Sequence, residues 1–138
     1  MLRVVIDTNI FISAVLKPQS NPGLILNLVR GSRLVLILSP DILSEIERVL
    51  LYPGLRKMHG LEPKEITGYI ENLKAFSKVV TPGRRLDVIE ADPSDNIFLE
   101  CAVEGRADFI ISGDHHLKDL EMYQGIKIVA PAVFLKMV

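Results

Sequence analysis

The sequence lacks the residues on which several classes of protein depend. Its 138 residues include a single cysteine, Cys101, and no tryptophan. No intrachain disulfide can therefore form, and no cysteine-based zinc site can be built. No apolar stretch approaches the length of a membrane span, and the first residues do not have the layout of a signal peptide. We expect a cytoplasmic protein without a membrane association.

Neither sign of charge dominates the chain. Sixteen lysines and arginines balance 17 aspartates and glutamates, which gives a formal net charge of −1. This balance neither supports nor excludes a polyanionic substrate, because a basic groove can exist locally. With three tyrosines, five phenylalanines and no tryptophan, an aromatic platform for stacking bases is poorly supported. The function must be sought in individual positions.

Apolar runs alternate with helical patterns along the chain. Strand-like runs of valine, isoleucine and leucine occur at 2–6, 34–38, 108–112 and 126–129. Their continuous apolar character is typical of strands that are covered on both faces, as in a parallel sheet. We predict a single domain over residues 1–138, of the α/β class. Its architecture is predicted to be a three-layer α/β/α sandwich with a central, mainly parallel sheet.

The helices are predicted from capping signals and from the spacing of apolar residues. They are expected to begin near Thr8, Pro22, Pro40 and Pro63, and the helix after Asp92-Pro93-Ser94-Asp95 is expected to be the most buried. The segment Tyr52-Pro53-Gly54 is predicted to end a helix, and a short strand is expected at Val79-Val80.

Acidic residues follow the predicted strands at several points. Asp7 comes directly after the first apolar run, and Asp114 closely follows the third. Ligands of open α/β sheets bind where parallel strands end, so these two carboxylates are expected to meet there. Glu45, on the helix after the second strand, and Asp95, at the head of a later helix, could join them. Four carboxylates with no partner lysine or arginine stay ionised together only if a cation neutralises them, which predicts a divalent metal site.

Each aspartate taken alone also has a structural interpretation. Asp7 and Asp114 precede predicted helices, where aspartate is a common N-cap. Asp92, with Pro93 at the first helical position and Asp95 at the third, resembles a capping box with aspartate in place of glutamate. Capping does not explain why three junctions all carry aspartate where serine or threonine would serve.

Helical geometry bears on the remaining candidates. Glu45 and Glu47 lie on opposite borders of the apolar face of their helix, and periodicity alone does not choose between them.

His115 and His116 are adjacent, and successive helical residues point about 100° apart. We therefore expect these histidines at the surface, with no joint role at one ion.

Four short motifs, taken in order, resemble those of PIN domains. They are Val4-Val5-Ile6-Asp7-Thr8-Asn9, Ser39-Pro40-Asp41-Ile42-Leu43-Ser44-Glu45, Asp92-Pro93-Ser94-Asp95-Asn96 and Ser112-Gly113-Asp114-His115-His116-Leu117. The resemblance covers essentially the whole chain and is greatest to the bacterial and archaeal branch assigned to the toxins of toxin–antitoxin pairs. It implies that Asp7, Glu45, Asp95 and Asp114 hold one or two Mg²⁺ or Mn²⁺ ions. The same resemblance favours Glu45 over Glu47.

The resemblance further implies metal-dependent hydrolysis of phosphodiester bonds in single-stranded RNA. It places Thr8, Asn9 and Ser112 around the quartet as supporting polar groups. Asp92 would either bind metal through water or only cap its helix. The implied partners are the RNA substrate, an antitoxin protein and further copies of the chain in a homo-oligomer.

Two further expectations concern how RNA is bound and whether it is cleaved. Arg84 and Arg85, which follow a predicted turn, are candidate contacts to RNA phosphates. The alternative function is a PIN-fold module that binds RNA or protein, or supports assembly, with little or no nuclease turnover.

Overall fold

The computed structural model describes all 138 residues, which form six strands and eight helices. The strands are β1 (Arg3–Ile6), β2 (Val35–Leu38), β3 (Ser77–Val79), β4 (Phe109–Ile111), β5 (Met122–Tyr123) and β6 (Ile126–Val129). The helices are α1 (Thr8–Leu16), α2 (Asn21–Arg30), α3 (Pro40–Leu50), α4 (Pro53–His59), α5 (Pro63–Phe76), α6 (Asn96–Gly105), α7 (His115–Leu120) and α8 (Pro131–Met137). One turn of 3₁₀ helix, Pro93–Asp95, precedes α6.

The strands form one sheet in the order β3-β2-β1-β4-β6-β5. All neighbouring pairs are parallel except β5 with β6. From β1 the chain first moves outward to β2 and β3, and it then returns to the other side of β1 as β4. The strand order therefore reverses between β1 and β4, and a crevice opens at the carboxyl ends of these two strands. Asp7 and Asp114 follow them there.

Helices cover both faces of the sheet and complete the predicted α/β/α sandwich. Right-handed crossovers, the rule for parallel strands, place α1 to α5 on one face. The helix α8 packs against α2 in the same layer, while α6 packs against β1, β2 and β4 on the other face. As expected from its apolar residues, α6 is buried nearly all round. The prediction of fold class is confirmed.

The central strands are short apolar runs because both of their faces are covered. Every residue of β4 is buried, as are the last three of β1 and of β2. Cys101 is fully buried in the same core, and burial raises the pKa of its thiol to about 12. A buried thiol with a raised pKa is typical of a core cysteine and not of a reactive one. None of the helices is both long and apolar enough to cross a bilayer.

The segment Tyr52-Pro53-Gly54 ends a helix as predicted, since α3 stops at Leu50. The sequence did not predict α4, whose first turn contains Pro53, where its missing N–H is tolerated. No residue of α4 is buried, so apolar periodicity could not reveal it. The predicted capping box at Asp92 is wrong. The Asp92 carboxylate makes no capping bond and accepts a hydrogen bond from the Ser94 hydroxyl at 2.6 Å.

Candidate metal centre

Asp7 is held by three hydrogen bonds. Its backbone N–H donates to the Ile111 carbonyl at 3.0 Å, which continues the pairing of β1 with β4. One carboxylate oxygen caps α1 by accepting from the backbone N–H of Asn9 at 3.4 Å. The other accepts from the Ser112 hydroxyl at 2.7 Å. Burial raises the pKa of Asp7, and the bond from Ser112 opposes that increase.

Ser112 connects Asp7 to Asp114. Its fully buried hydroxyl donates to Asp7 and accepts from the backbone N–H of Asp114 at 2.9 Å. Asp114 in turn caps α7, because one of its carboxylate oxygens accepts from the backbone N–H of His116 at 2.7 Å. The capping interpretations of Asp7 and Asp114 therefore hold. Each cap leaves carboxylate lone pairs free to face the crevice.

Glu45 reaches the same crevice from α3. The hydroxyl of Thr8, which is buried, donates to a Glu45 carboxylate oxygen at 2.5 Å. Glu47 lies on the other border of the helix, in a groove lined by residues such as Leu43, Ile70 and Lys74. The structure thus places Glu45 beside the crevice and Glu47 outside it.

Asp95 is the most perturbed member of the group. It is 7% exposed, and its Oδ2 atom is buried with no hydrogen-bond partner. The pKa of Asp95 is raised from 3.8 to about 7, first by burial and then by the negative charges of Asp114, Asp92, Asp7 and Glu45. The charges of all four neighbours act on one carboxyl, so the five acids converge. Repulsion and an unpaired buried oxygen are what a bound cation would relieve.

Positive side chains are nearly absent from the cluster. Arg48 approaches Glu45 to 3.7 Å, whereas Asp7, Asp95 and Asp114 have no salt bridge. The four carboxylates and the hydroxyls that bond to them offer oxygen ligands, which suit Mg²⁺ or Mn²⁺. The residues present therefore fit a hard divalent ion.

The other candidates occupy varied positions. Asn9 is exposed and contributes its backbone N–H to Asp7. Asp92 is half-buried, and its charge acts on Asp95. His115 is exposed and His116 half-buried, but their ring centroids lie only 4.0 Å apart. One ligand atom from each can lie within 4.8 Å of an Asp114 oxygen. The predicted surface position holds for His115, but the expected divergence of the two rings is wrong.

The two arginines proposed as phosphate contacts differ from each other. Arg84 is exposed in the segment before α6. Arg85 is exposed too, but its guanidinium donates to Asp41 at 2.5 Å and to Glu100 at 3.0 Å. Both acceptors are distant in sequence, so this pairing could not be predicted. Arg85 ties the segment before α6 to α3 and α6.

Sequence reasoning also missed Asn96. Its buried amide oxygen accepts from the backbone N–H groups of Val88 and Ile89, and its amide nitrogen donates to the carbonyls of Ile89 and Pro93. These four bonds fix the irregular chain that leads to Asp95. The only signal in the sequence was an asparagine adjacent to Asp95, which does not reveal that its side chain bonds to the backbone of the preceding loop.

A comparison with known proteins identifies the family of this chain. Residues 3–116 match the family model described as PIN domain. The chain belongs to the PIN-domain family. The protein named Uncharacterized protein MJ1680, of Methanocaldococcus jannaschii, is 40% identical to this PIN domain over 119 residues, which cover 86% of this chain and 75% of that protein.

Two solved structures share the PIN fold. One is VapBC2 from Rickettsia felis bound to a DNA fragment from their promoter, with a TM-score of 0.61, 12% identity, and coverage of 94% of this chain and 98% of that one. The other is DNA-bound VapBC from Salmonella typhimurium, with a TM-score of 0.59, 19% identity, and coverage of 95% and 99%. At these identities the likeness concerns the fold alone.

Proposed function

We propose that this PIN domain, as a single unit over residues 1–138, is a divalent-metal-dependent endoribonuclease that cleaves single-stranded RNA. Asp7, Glu45, Asp95 and Asp114 are its proposed Mg²⁺ or Mn²⁺ ligands. The observation that carries the proposal is Asp95, with its unpartnered buried oxygen and a pKa of about 7 among four other carboxylates. Such a cluster is costly to fold without a cation, so a structural explanation alone does not account for it.

The polar residues around the quartet have distinct proposed tasks. Thr8 orients Glu45 through its 2.5 Å bond, and Ser112 orients Asp7 while fixing the backbone of Asp114. Asp92 adds negative charge beside Asp95. A divalent ion held here would supply Lewis acidity towards water and phosphate oxygens and would neutralise developing charge. Thr8 and Ser112 hold the carboxylate ligands in place, as supporting hydrogen bonds do in other metal sites.

We also propose that the domain is the toxin of a toxin–antitoxin pair. Membership of the PIN family and the shared fold with two VapBC structures support this. The proposed partners are an antitoxin protein and further copies of the chain in a homo-oligomer. Co-expression with the protein encoded beside it tests the pairing. A stable complex that loses RNA cleavage supports the toxin role, and undiminished cleavage in a complex opposes it.

The nuclease is tested with a mixed-sequence single-stranded RNA in Mg²⁺, in Mn²⁺ or in EDTA. Cleavage is expected with either metal and absent in EDTA. Asp7→Asn should abolish it, because a metal ligand is lost with little change in volume. Glu47→Gln is the matched control, since it removes one carboxylate charge from α3 outside the crevice and should leave cleavage intact.

The same experiment weighs the alternative function. A folded protein that binds Mn²⁺ and RNA yet cleaves nothing would contradict the nuclease and favour a module for binding or assembly. Equal cleavage by wild type and Asp7→Asn would contradict the proposed site.

A further inference from the structure

We propose that one face of α3 and its extension, carrying Arg48 and Tyr52 outward from Glu45, binds the RNA strand next to the cleaved bond. This subsite rests on the proposed nuclease function and specifies where the substrate lies on the protein. Arg48 would contact a phosphate, and the ring of Tyr52 would stack on a base. Neither residue is assigned to the metal cluster.

The helical path places these residues on a common face. Although α3 ends at Leu50, Leu51 still donates to the Glu47 carbonyl and Tyr52 to the Val49 carbonyl, each at 3.1 Å. Helical hydrogen bonding thus reaches the backbone N–H of Tyr52, and the chain leaves the helix there with a ψ of 131°. Spacings of three and seven residues from Glu45 keep Arg48 and Tyr52 within about 60° of it around the axis. Tyr52 lies about 10 Å farther along the axis than Glu45, at about 1.5 Å per residue.

The guanidinium of Arg48 is available to bind a phosphate. Its side chain is 64% exposed, and its one salt bridge is the 3.7 Å contact to Glu45 in the preceding turn. At 3.7 Å this contact is longer than a hydrogen bond, so the guanidinium N–H groups of Arg48 remain available to a phosphate. Arg85, by contrast, is held by Asp41 and Glu100. Arg48 is therefore an exposed cation in contact with one member of the acidic cluster.

Tyr52 has the most available aromatic ring among the tyrosines. It is 48% exposed, whereas Tyr69 has a buried hydroxyl and Tyr123 is half-buried on the far edge of the sheet. A ring presented beside a phosphate-binding arginine is the combination used to hold single strands. Beyond it, Lys57 on α4 is exposed and forms no salt bridge, which extends the positive charge.

The test measures RNA binding separately from cleavage. A fluorescent single-stranded RNA is titrated with Asp7→Asn protein in Mg²⁺, at several salt concentrations. In this background Arg48→Ala should weaken binding and lower the salt dependence by about one phosphate contact. Tyr52→Ala should weaken binding about fivefold or more, and Tyr52→Phe should retain it because stacking needs only the ring. Arg106→Ala, an exposed arginine before β4, is the charge control.

Kinetics in the otherwise wild-type protein provide a second measurement. Arg48→Ala and Tyr52→Ala should raise KM for RNA with little change in kcat, because neither side chain is itself a proposed metal ligand. Thermal unfolding checks that each variant is folded. If RNA is cleaved and bound but these variants match Arg106→Ala, the subsite is wrong and the nuclease stands. If wild type and Asp7→Asn bind no RNA, both proposals are overturned.

Discussion

Asp95→Asn should stabilise the metal-free protein, although it removes a proposed metal ligand. The pKa of Asp95 rises from 3.8 to about 7 in the folded protein, mainly through burial. The folded state therefore binds the proton more tightly than the unfolded chain does. Stability contributed by this group is lost as the pH rises from about 4 to about 7, and it stays lost at higher pH. Asparagine carries no charge and avoids that loss.

The size of the effect follows from the difference in pKa. A shift from 3.8 to about 7 is about three pKa units, and each unit corresponds to about 1.4 kcal/mol. The upper bound is therefore about 4 kcal/mol. Water in the open crevice screens part of the repulsion. We expect Asp95→Asn to raise the free energy of unfolding by about 1–3 kcal/mol near pH 8 and by almost nothing near pH 4.

Urea unfolding in EDTA at several pH values measures this difference. Asp119→Asn, a change from carboxylate to amide at an exposed site on α7, is the matched control and should have no pH-dependent effect. Adding Mn²⁺ should reverse the order, because wild type gains stability from the bound ion while the variant gains less. A variant that is less stable than wild type near pH 8 in EDTA would refute the reasoning.

Three other substitutions test the supporting structure. Ser112→Ala removes the 2.7 Å hydrogen bond to Asp7. The pKa of Asp7 should then rise further in an NMR titration, and Mn²⁺ affinity should fall about tenfold. An unchanged pKa of Asp7 would contradict the proposed role of Ser112. Asn96→Ala leaves buried loop groups unpaired and should cost about 2–4 kcal/mol in urea unfolding; a loss below about 0.5 kcal/mol would contradict this. Gly105→Ala would place a Cβ against the side chain of Ile37 and should destabilise the protein by about 1–3 kcal/mol. An unchanged stability in calorimetry would contradict this.

The sheet was predictable because its strands are buried on both faces. A strand covered on both sides is apolar along its buried length, so β1, β2 and β4 stand out as nearly continuous runs, whereas β6 has the exposed Lys127 among its apolar residues. Helix α4 and strand β5 have no such signature. The first buries none of its residues, and the second is a two-residue edge pairing. Elements that bury little leave little trace in the hydrophobic pattern.

The candidate site was predictable where topology alone determines position. Asp7 and Asp114 follow neighbouring parallel strands, so their meeting needed no side-chain information. Glu45 and Glu47 differ by a rotation that periodicity does not resolve, and the distinguishing contact comes from Thr8, 37 residues away. The pairing of Arg85 likewise depends on distant partners. Contacts of this kind arise from tertiary packing and are not visible in local sequence.

The central claim is that the acidic quartet holds the ion that RNA cleavage requires. Mn²⁺ occupancy and cleavage of a single-stranded RNA, measured on the same samples across a metal titration, test it most directly. Occupancy and cleavage should rise together in wild type and in Glu47→Gln, and both should be strongly reduced in Asp7→Asn and Asp95→Asn. Cleavage that persists in EDTA, or Mn²⁺ binding unaffected by both aspartate variants, would contradict the account.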